Sequence, residues 1–482
     1  MNLLKKYRGL PVQVRASVWF LICAFLQKGI SLITTPIFTR ILTTQEYGEY
    51  SVFNSWLSII TIVVSLNLSA GVFTQGLIKF DEKKDSFASS IQGLSTALVF
   101  LWIVIYLLTS VFWNRILGLT TIQVLSMLIM IWTTSIFSFW ADTQRVAYKY
   151  KTLVIITLMV SIAKPLLGII LVIKANDKVT ARILGLVLVE VLGYSPLLFI
   201  QLKKGRKFYS YDSWTYALSF NIPLVPHYLS QVVLNSADRI MINDMIGSSE
   251  AGIYSVAYSL SSIMLLFNNA LMQTLSPWIY QKIKSERIKE ISPVAYLSLM
   301  LVAVVNLFLI LIAPEAISLF APVSYRQAIW AIPPIAMSVY FMFCYDLFAK
   351  FAFYYEKTKL IMYASMVGAA INVVLNYIFI NIFGYVAAGY TTLLCYIIYS
   401  VAHYSLMNRI CRGKSNGIKP YNTKKILFIT AFFVATGFLF LYTYNYPLLR
   451  YGLIVCICVI SVSKRKGSIE IGKKLFNIKN SC

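Results

Sequence analysis

Apolar stretches of about twenty residues follow one another almost without a break from Ala16 to Ser463. That is the length one helix needs to cross a bilayer. Fourteen such spans are predicted: roughly 16–38, 50–74, 87–112, 120–141, 152–173, 180–202, 215–237, 252–276, 292–313, 325–348, 359–381, 384–408, 424–445 and 447–463. The expected fold class is an all-α integral membrane protein. Composition agrees, with 59% hydrophobic and 13% charged residues among 482, where a soluble domain carries roughly 25% charged. The first stretch is too long for a cleavable signal peptide and no small-residue cleavage site follows it, so it reads as the first span. Seven cysteines are an odd number for a disulfide framework. Cys23, Cys344, Cys395, Cys456 and Cys458 lie in apolar stretches and read as small buried hydrophobes.

The formal net charge is +25, and its placement is informative. With fourteen spans, 33 of the 43 Lys and Arg residues fall on the face shared by the two termini. The opposite face holds only Arg40, Arg115, Lys174, Lys178, Arg182, Arg239, Arg326 and Arg450. Basic loops stay cytoplasmic, so both termini are predicted to be cytoplasmic. The runs Lys464–Lys466 and Arg409–Lys425 suit anionic lipid headgroups. No basic groove interleaved with aromatics argues for nucleic acid.

A repeat then sets the architecture. At a constant offset of 204, Glu46, Gly48, Tyr50, Ser51, Val52, Ser55 and Ser58 meet Glu250, Gly252, Tyr254, Ser255, Val256, Ser259 and Ser262, and Asp142 meets Asp346. Six spans separate the two starts, and an even number gives both units the same topology. Parallel repeats place a substrate path at their interface. The predicted organisation is an N-lobe over 1–202, a basic cytoplasmic hinge over 203–212 and a C-lobe over 213–408. Two accessory spans over 409–463 and a basic tail over 464–482 complete it.

Ionisable residues inside spans are costly and point to function. Lys28 lies mid-way along the first span, and either lines a wet path toward an anionic group or pairs with a carboxylate. Lys164, followed by Pro165, reads as a substrate cation or as the partner of Glu190 in the next span. Asp142 and Asp346, followed by Arg145 and Lys350, read as helix-end salt bridges first and as gating pairs second. Asp238 with Arg239 divides the same way. His227, in the proline-interrupted run Ile222–His227, is a proton-coupling histidine or a helix-interface one; His403 says less. With two distant histidines and no HExxH, no metal site is expected. Gly467–Lys473 fits GxxxxGK, but Lys474 replaces the required Ser or Thr and no strand precedes it. No nucleotide site or other cofactor is expected. Neither is an enzyme, because no Ser-His-Asp set or loop carboxylate pair is present. The energy source is then an ion gradient, H+ or Na+, or the substrate gradient itself.

The run Lys28-Gly29, Pro36–Leu42 and Glu46–Tyr50, repeated in part as Asp238-Arg239 and Glu250–Tyr254, resembles the polysaccharide-transporter family. These are the O-antigen and capsule repeat-unit flippases of the multidrug/oligosaccharidyl-lipid/polysaccharide exporter superfamily. The likeness covers about residues 12–408. It implies an undecaprenyl-pyrophosphate-linked oligosaccharide as substrate, moved from the cytoplasmic to the periplasmic leaflet of the bacterial inner membrane by alternating access. Membrane lipids and a polysaccharide polymerase are the implied partners. The pyrophosphate needs a cation in a low-dielectric path, which Lys28 would supply. Arg40 and Arg239, ending the two repeat-opening helices, would be exit contacts.

Two other readings compete. An ion-coupled drug or cation antiporter of the same superfamily would want acidic residues to dominate its cavity. A membrane glycosyl polymerase or ligase would want a sizeable outward loop, and the outward loops here are short. A peptidoglycan-precursor flippase is a further relative, which the opening motif fits less well.

Overall fold

The computed structural model describes residues 11–414 and 419–463, and every regular element among them is helical. The basic tail, including Lys464–Lys466 and the Gly467–Lys473 run, and the side chain of Cys458 lie outside the described residues. The chain divides into two compact units, Met1–Gly252 and Ile253–Cys482.

The first unit contains α1 (Val12–Ile41), α2 (Thr44–Ser65), α3 (Val72–Lys79), α4 (Lys84–Leu108), α5 (Ser110–Leu117), α6 (Thr121–Val146), α7 (Tyr150–Lys174), α8 (Lys178–Gly205), α9 (Tyr211–Asn221) and α10 (Val225–Met245). The next helix, α11 (Ser248–Ser261), begins in this unit and continues beyond it. α8 is the hub, packing against α7, α6 and α4. Its approach to α7 needs glycine: a Cβ on Gly185 would sit 2.9 Å from the Cα of Gly168. α1 packs on α7, and α10 packs along α2.

The repeated Glu46 has a local cause. Thr43 accepts from the Glu46 amide at 3.1 Å while the Glu46 carboxylate accepts from the Thr43 amide at 2.8 Å. This capping box satisfies two orphan amides and fixes where α2 starts. Thr44 and Ser248, which open α2 and α11, are 204 residues apart, so the repeat is one of helix starts as well as of residues. The shared glycines meet there. A Cβ on Gly48 would lie 1.7 Å from the Ser248 carbonyl oxygen, and one on Gly252 would lie 2.2 Å from the Thr44 carbonyl oxygen. Each glycine thus touches the residue that is the repeat counterpart of the other's neighbour, a reciprocal crossing that no larger residue permits.

The predicted hinge segment is hydrogen-bonded to the helix beside it. α8 runs to Gly205, and the segment after it is strapped to α4. Ser89 donates to the Lys207 carbonyl at 2.8 Å, and the Trp214 indole donates to the Ser90 carbonyl at 2.9 Å. Gly93 gives the strap its room, since a Cβ there would meet the Phe208 carbonyl oxygen at 2.1 Å.

The second unit holds α12 (Ile263–Lys284), α13 (Ile291–Leu311), α14 (Ala313–Phe320), α15 (Ile332–Tyr354), α16 (Thr358–Phe383), α17 (Val386–Lys414), α18 (Thr423–Tyr442) and α19 (Pro447–Ser463). α15 is almost wholly buried, with α17, α13 and α12 packed around it.

Among the described residues eleven helices are long and apolar enough to cross a membrane. The predicted count of fourteen is not reached, although helices stand at all fourteen places. α2 opens with Glu46 and Glu49 and carries Ser, Asn and Tyr along its length. The seventh stretch is interrupted by a 3-10 turn at Ile222–Leu224, which contains Pro223 and is followed by Pro226, neither able to donate to a helix ladder, and its second half, α10, carries Asp238, Arg239 and Asp244. The last apolar helix is measured only over Pro447–Cys456. There Cys456 is exposed, against the expectation of burial, while Cys23, Cys344 and Cys395 are buried.

Candidate functional site

α1 presents three faces. One packs on α7 through Ala16, Phe20, Cys23 and Gln27, and the Gln27 amide donates to the Ser161 hydroxyl at 3.3 Å. A second is apolar and exposed: Val18, Ile22, Phe25, Leu26 and Ile33. The third is mixed and holds Gln13, Ser17, Leu21, Ala24, Lys28 and Ser31, all exposed. These positions share one side at 3.6 residues per turn. An exposed apolar face suits lipid, whereas exposed amide, hydroxyl and ammonium groups suit water. Lys28 stands on that mixed face and meets no hydrogen-bond or ion-pair partner among the described residues.

Lys164 is differently placed. Its ammonium lies 2.6 Å from the Glu190 carboxylate, whose side chain is 3% exposed. Thr133 donates to the other carboxylate oxygen at 2.7 Å, and Thr134 lies at 3.4 Å. The Lys164 ammonium also sits 5.8 Å from the Tyr194 ring, which stacks on Phe137 at 4.5 Å. Lys164 and Glu190, for which the sequence left a structural pair and a substrate role both open, lie within ion-pair distance, and Thr133 and Tyr194 stand beside them. A hydroxyl 57 positions from its acceptor leaves no sequence signal.

The other candidate carboxylates divide as follows. Asp142 binds Arg145 at 2.6 Å, and Asp346 binds Lys350 at 2.6 Å, so each repeat counterpart forms its own helix-end ion pair. Asp238 is 1% exposed. Arg40 donates to the Pro36 carbonyl at 2.8 Å and Arg239 to the Asn235 carbonyl at 3.3 Å, each reaching back one turn. His227 is half-buried, with Nδ1 unpartnered among the described residues.

The motif residues after Lys28 serve the scaffold. The Arg182 guanidinium at the start of α8 is 8% exposed and lies 3.7 Å from the Phe38 ring centroid and 3.4 Å from that of Tyr50. Lys178 donates to the Ile41 carbonyl at 3.3 Å and approaches Glu46 at 3.9 Å. A desolvated cation between two rings is worth about 2 kcal/mol, so this stack pins the α1–α2 corner to α8. In the second unit, sequence reading missed a buried row on α16 and α17. Asn376 donates to Asn372 at 3.3 Å, Asn372 to Thr392 at 3.4 Å, and Thr391 donates to Asn376. Two mid-span asparagines one turn apart were the available signal.

The profile of the family described as Polysaccharide biosynthesis protein matches residues 14–283, more than half the chain. The chain belongs to that family. The MatE family profile also matches, over residues 223–378. A protein of the Lsg locus of Haemophilus influenzae is 22% identical over 374 residues, covering 74% of this chain and 88% of that one. Among solved structures, the lipid II flippase MurJ in an inward closed conformation aligns with TM-score 0.68 at 13% identity, covering 93% of this chain and 99% of that one. An inward-facing multidrug resistance MATE transporter of the MOP superfamily aligns with TM-score 0.60 at 13% identity, covering 84% and 100%. This member of the polysaccharide biosynthesis family therefore has the fold of MOP-superfamily flippases and transporters.

Proposed function

We propose that the chain translocates an undecaprenyl-pyrophosphate-linked oligosaccharide from the cytoplasmic to the periplasmic leaflet of a bacterial inner membrane. The observation that carries this reading is the difference between the two intramembrane lysines. Lys164 is committed to Glu190, whereas Lys28 is exposed on a mixed face of a membrane-length helix with no carboxylate beside it among the described residues. An unpaired ammonium in that setting costs free energy that an anionic ligand recovers, and a pyrophosphate linked to a lipid supplies the anion. Arg40 and Arg239 are the proposed exit contacts. Lys164 enters as the partner of Glu190, and that pair, His227 and the Asp238 region are the places where a coupling H+ or Na+ would act.

The antiporter reading is weaker because Asp142, Glu190 and Asp346 each have a basic partner within 2.6 Å. A cationic drug would have to compete with those partners. The test is complementation of a deletion strain with matched expression. Lys28→Ala should abolish surface polysaccharide and let the lipid-linked intermediate accumulate, and Lys28→Arg should restore part of it. Wild-type polysaccharide with Lys28→Ala would remove Lys28 from the substrate site. Intact polysaccharide in the deletion strain itself would remove the flippase reading.

A further inference from the structure

A second polar site lies in the first unit, at the end of the bundle predicted to face the cytoplasm. A cavity of about 280 Å³ opens where α4 begins and where α6 and α8 end. A water occupies about 30 Å³ of liquid, so the space accepts a small organic group. Gln201, on its inner wall, is 6% exposed, and neither its amide nitrogen nor its amide oxygen meets a partner among the described residues. A carboxamide donates from nitrogen and accepts at oxygen, so a matching occupant offers both an acceptor and a donor. Trp140 closes one side.

The rim narrows the chemistry. Lys149 and Lys204 line the opening, are exposed, and make no ion pair among the described residues. Lys84 stands beside them, 3.2 Å from Asp81. The Asp85 carboxylate also lines the cavity and has no partner among the described residues. Two uncommitted ammonium groups call for an anion, and one carboxylate with an amide oxygen calls for a donor near it. Ile200, which lines the cavity, is 45% exposed, and Ile78 and Phe199, the chain neighbours of the lining residues Leu77 and Ile200, are 68% and 70% exposed. Apolar exposure beside a polar cavity at the end of a membrane bundle suits alkyl chains lying alongside.

We propose that this cavity binds a phosphoryl group esterified to a short arm bearing an ammonium or hydroxyl donor, as in phosphoethanolamine and phosphoglycerol headgroups. Lys149 and Lys204 bind the phosphoryl oxygens. The Gln201 amide and Asp85 read the donor arm, which a choline headgroup lacks. The site is separate from Lys28 and does not depend on the flippase reading.

Binding is measured on the full-length protein in detergent, by thermal shift and native mass spectrometry. The probes are dihexanoyl phosphatidylethanolamine, phosphatidylglycerol and phosphatidylcholine, with glycerol 3-phosphate as the soluble ester. The ethanolamine and glycerol lipids should bind more tightly than the choline lipid. Lys149→Ala with Lys204→Ala, both exposed, should weaken them by about tenfold. Gln201→Met should keep binding and lose the preference over choline. Glycerol 3-phosphate binding as well as the lipids would support the site with a soluble ester as its source, and lipid-only binding would support a membrane source. Equal affinity for all headgroups, unchanged by the lysine pair, would overturn the proposal. So would a cavity that holds only water.

Discussion

Glu190 is buried inside the bundle with Lys164, Thr133 and Thr134 facing its carboxylate. A carboxylate taken from water needs a counter-ion and hydrogen bonds to both oxygens, and Lys164 and Thr133 supply them. Removing one partner should cost more than removing both. Lys164→Met is expected to destabilise by about 3 kcal/mol, and adding Glu190→Gln should recover most of that. Thermal unfolding of the two single variants and the double variant measures the coupling. Simple additivity would show that the pair contributes nothing as a pair. Thr133→Val, which removes one charge-assisted hydrogen bond, should cost about 1.5 kcal/mol. Lys28 shows the opposite physics, because nothing in the fold depends on it. Lys28→Ala should leave thermal stability unchanged or raised while activity falls, a split that a purely structural lysine would not show.

At the scale of helices, the motif that ties this chain to its family is largely a packing device. Glu46 caps α2, Phe38 and Tyr50 hold Arg182, and Gly48 clears the backbone of Ser248. Gly48→Leu should destabilise by about 2 kcal/mol or more through overpacking, read as a lower unfolding temperature. Gly29→Ala is the control, since nothing lies within 4 Å of its added Cβ and alanine favours a helix. These elements were legible in the sequence to different depths. Apolar runs located a helix at all fourteen places because hydrocarbon forces that choice. Whether a helix is apolar enough to span by itself depended on what covers it, and α2 and α10 cover each other. The Lys164–Glu190 pair was readable because adjacent spans lie side by side. The Arg182 stack and the unpartnered Gln201 were not, because ring contacts and empty neighbourhoods leave no spacing. The hydrogen bonds from the 203–214 region to α4 were not legible for a related reason, since a basic, polar composition does not reveal contacts made to backbone carbonyls.

The chain has the fold of a membrane transporter, with Lys28 exposed on its first helix. The charge bias predicts an orientation in which reporter fusions at residues 42–43 and 175–177 should report the periplasm. Fusions at 207–209 and at the C-terminus should report the cytoplasm. The opposite pattern would reverse the direction of transport proposed above. The most direct measurement is translocation itself. Purified protein is reconstituted in liposomes with a lipid-linked oligosaccharide, and a membrane-impermeant glycosidase reads the leaflet. The wild-type protein should bring inner-leaflet oligosaccharide into reach of the enzyme, with Lys28→Ala slower by about tenfold or more and Lys28→Arg intermediate. Equal rates for the wild type and Lys28→Ala, or a wild-type rate no faster than protein-free liposomes, would contradict the account.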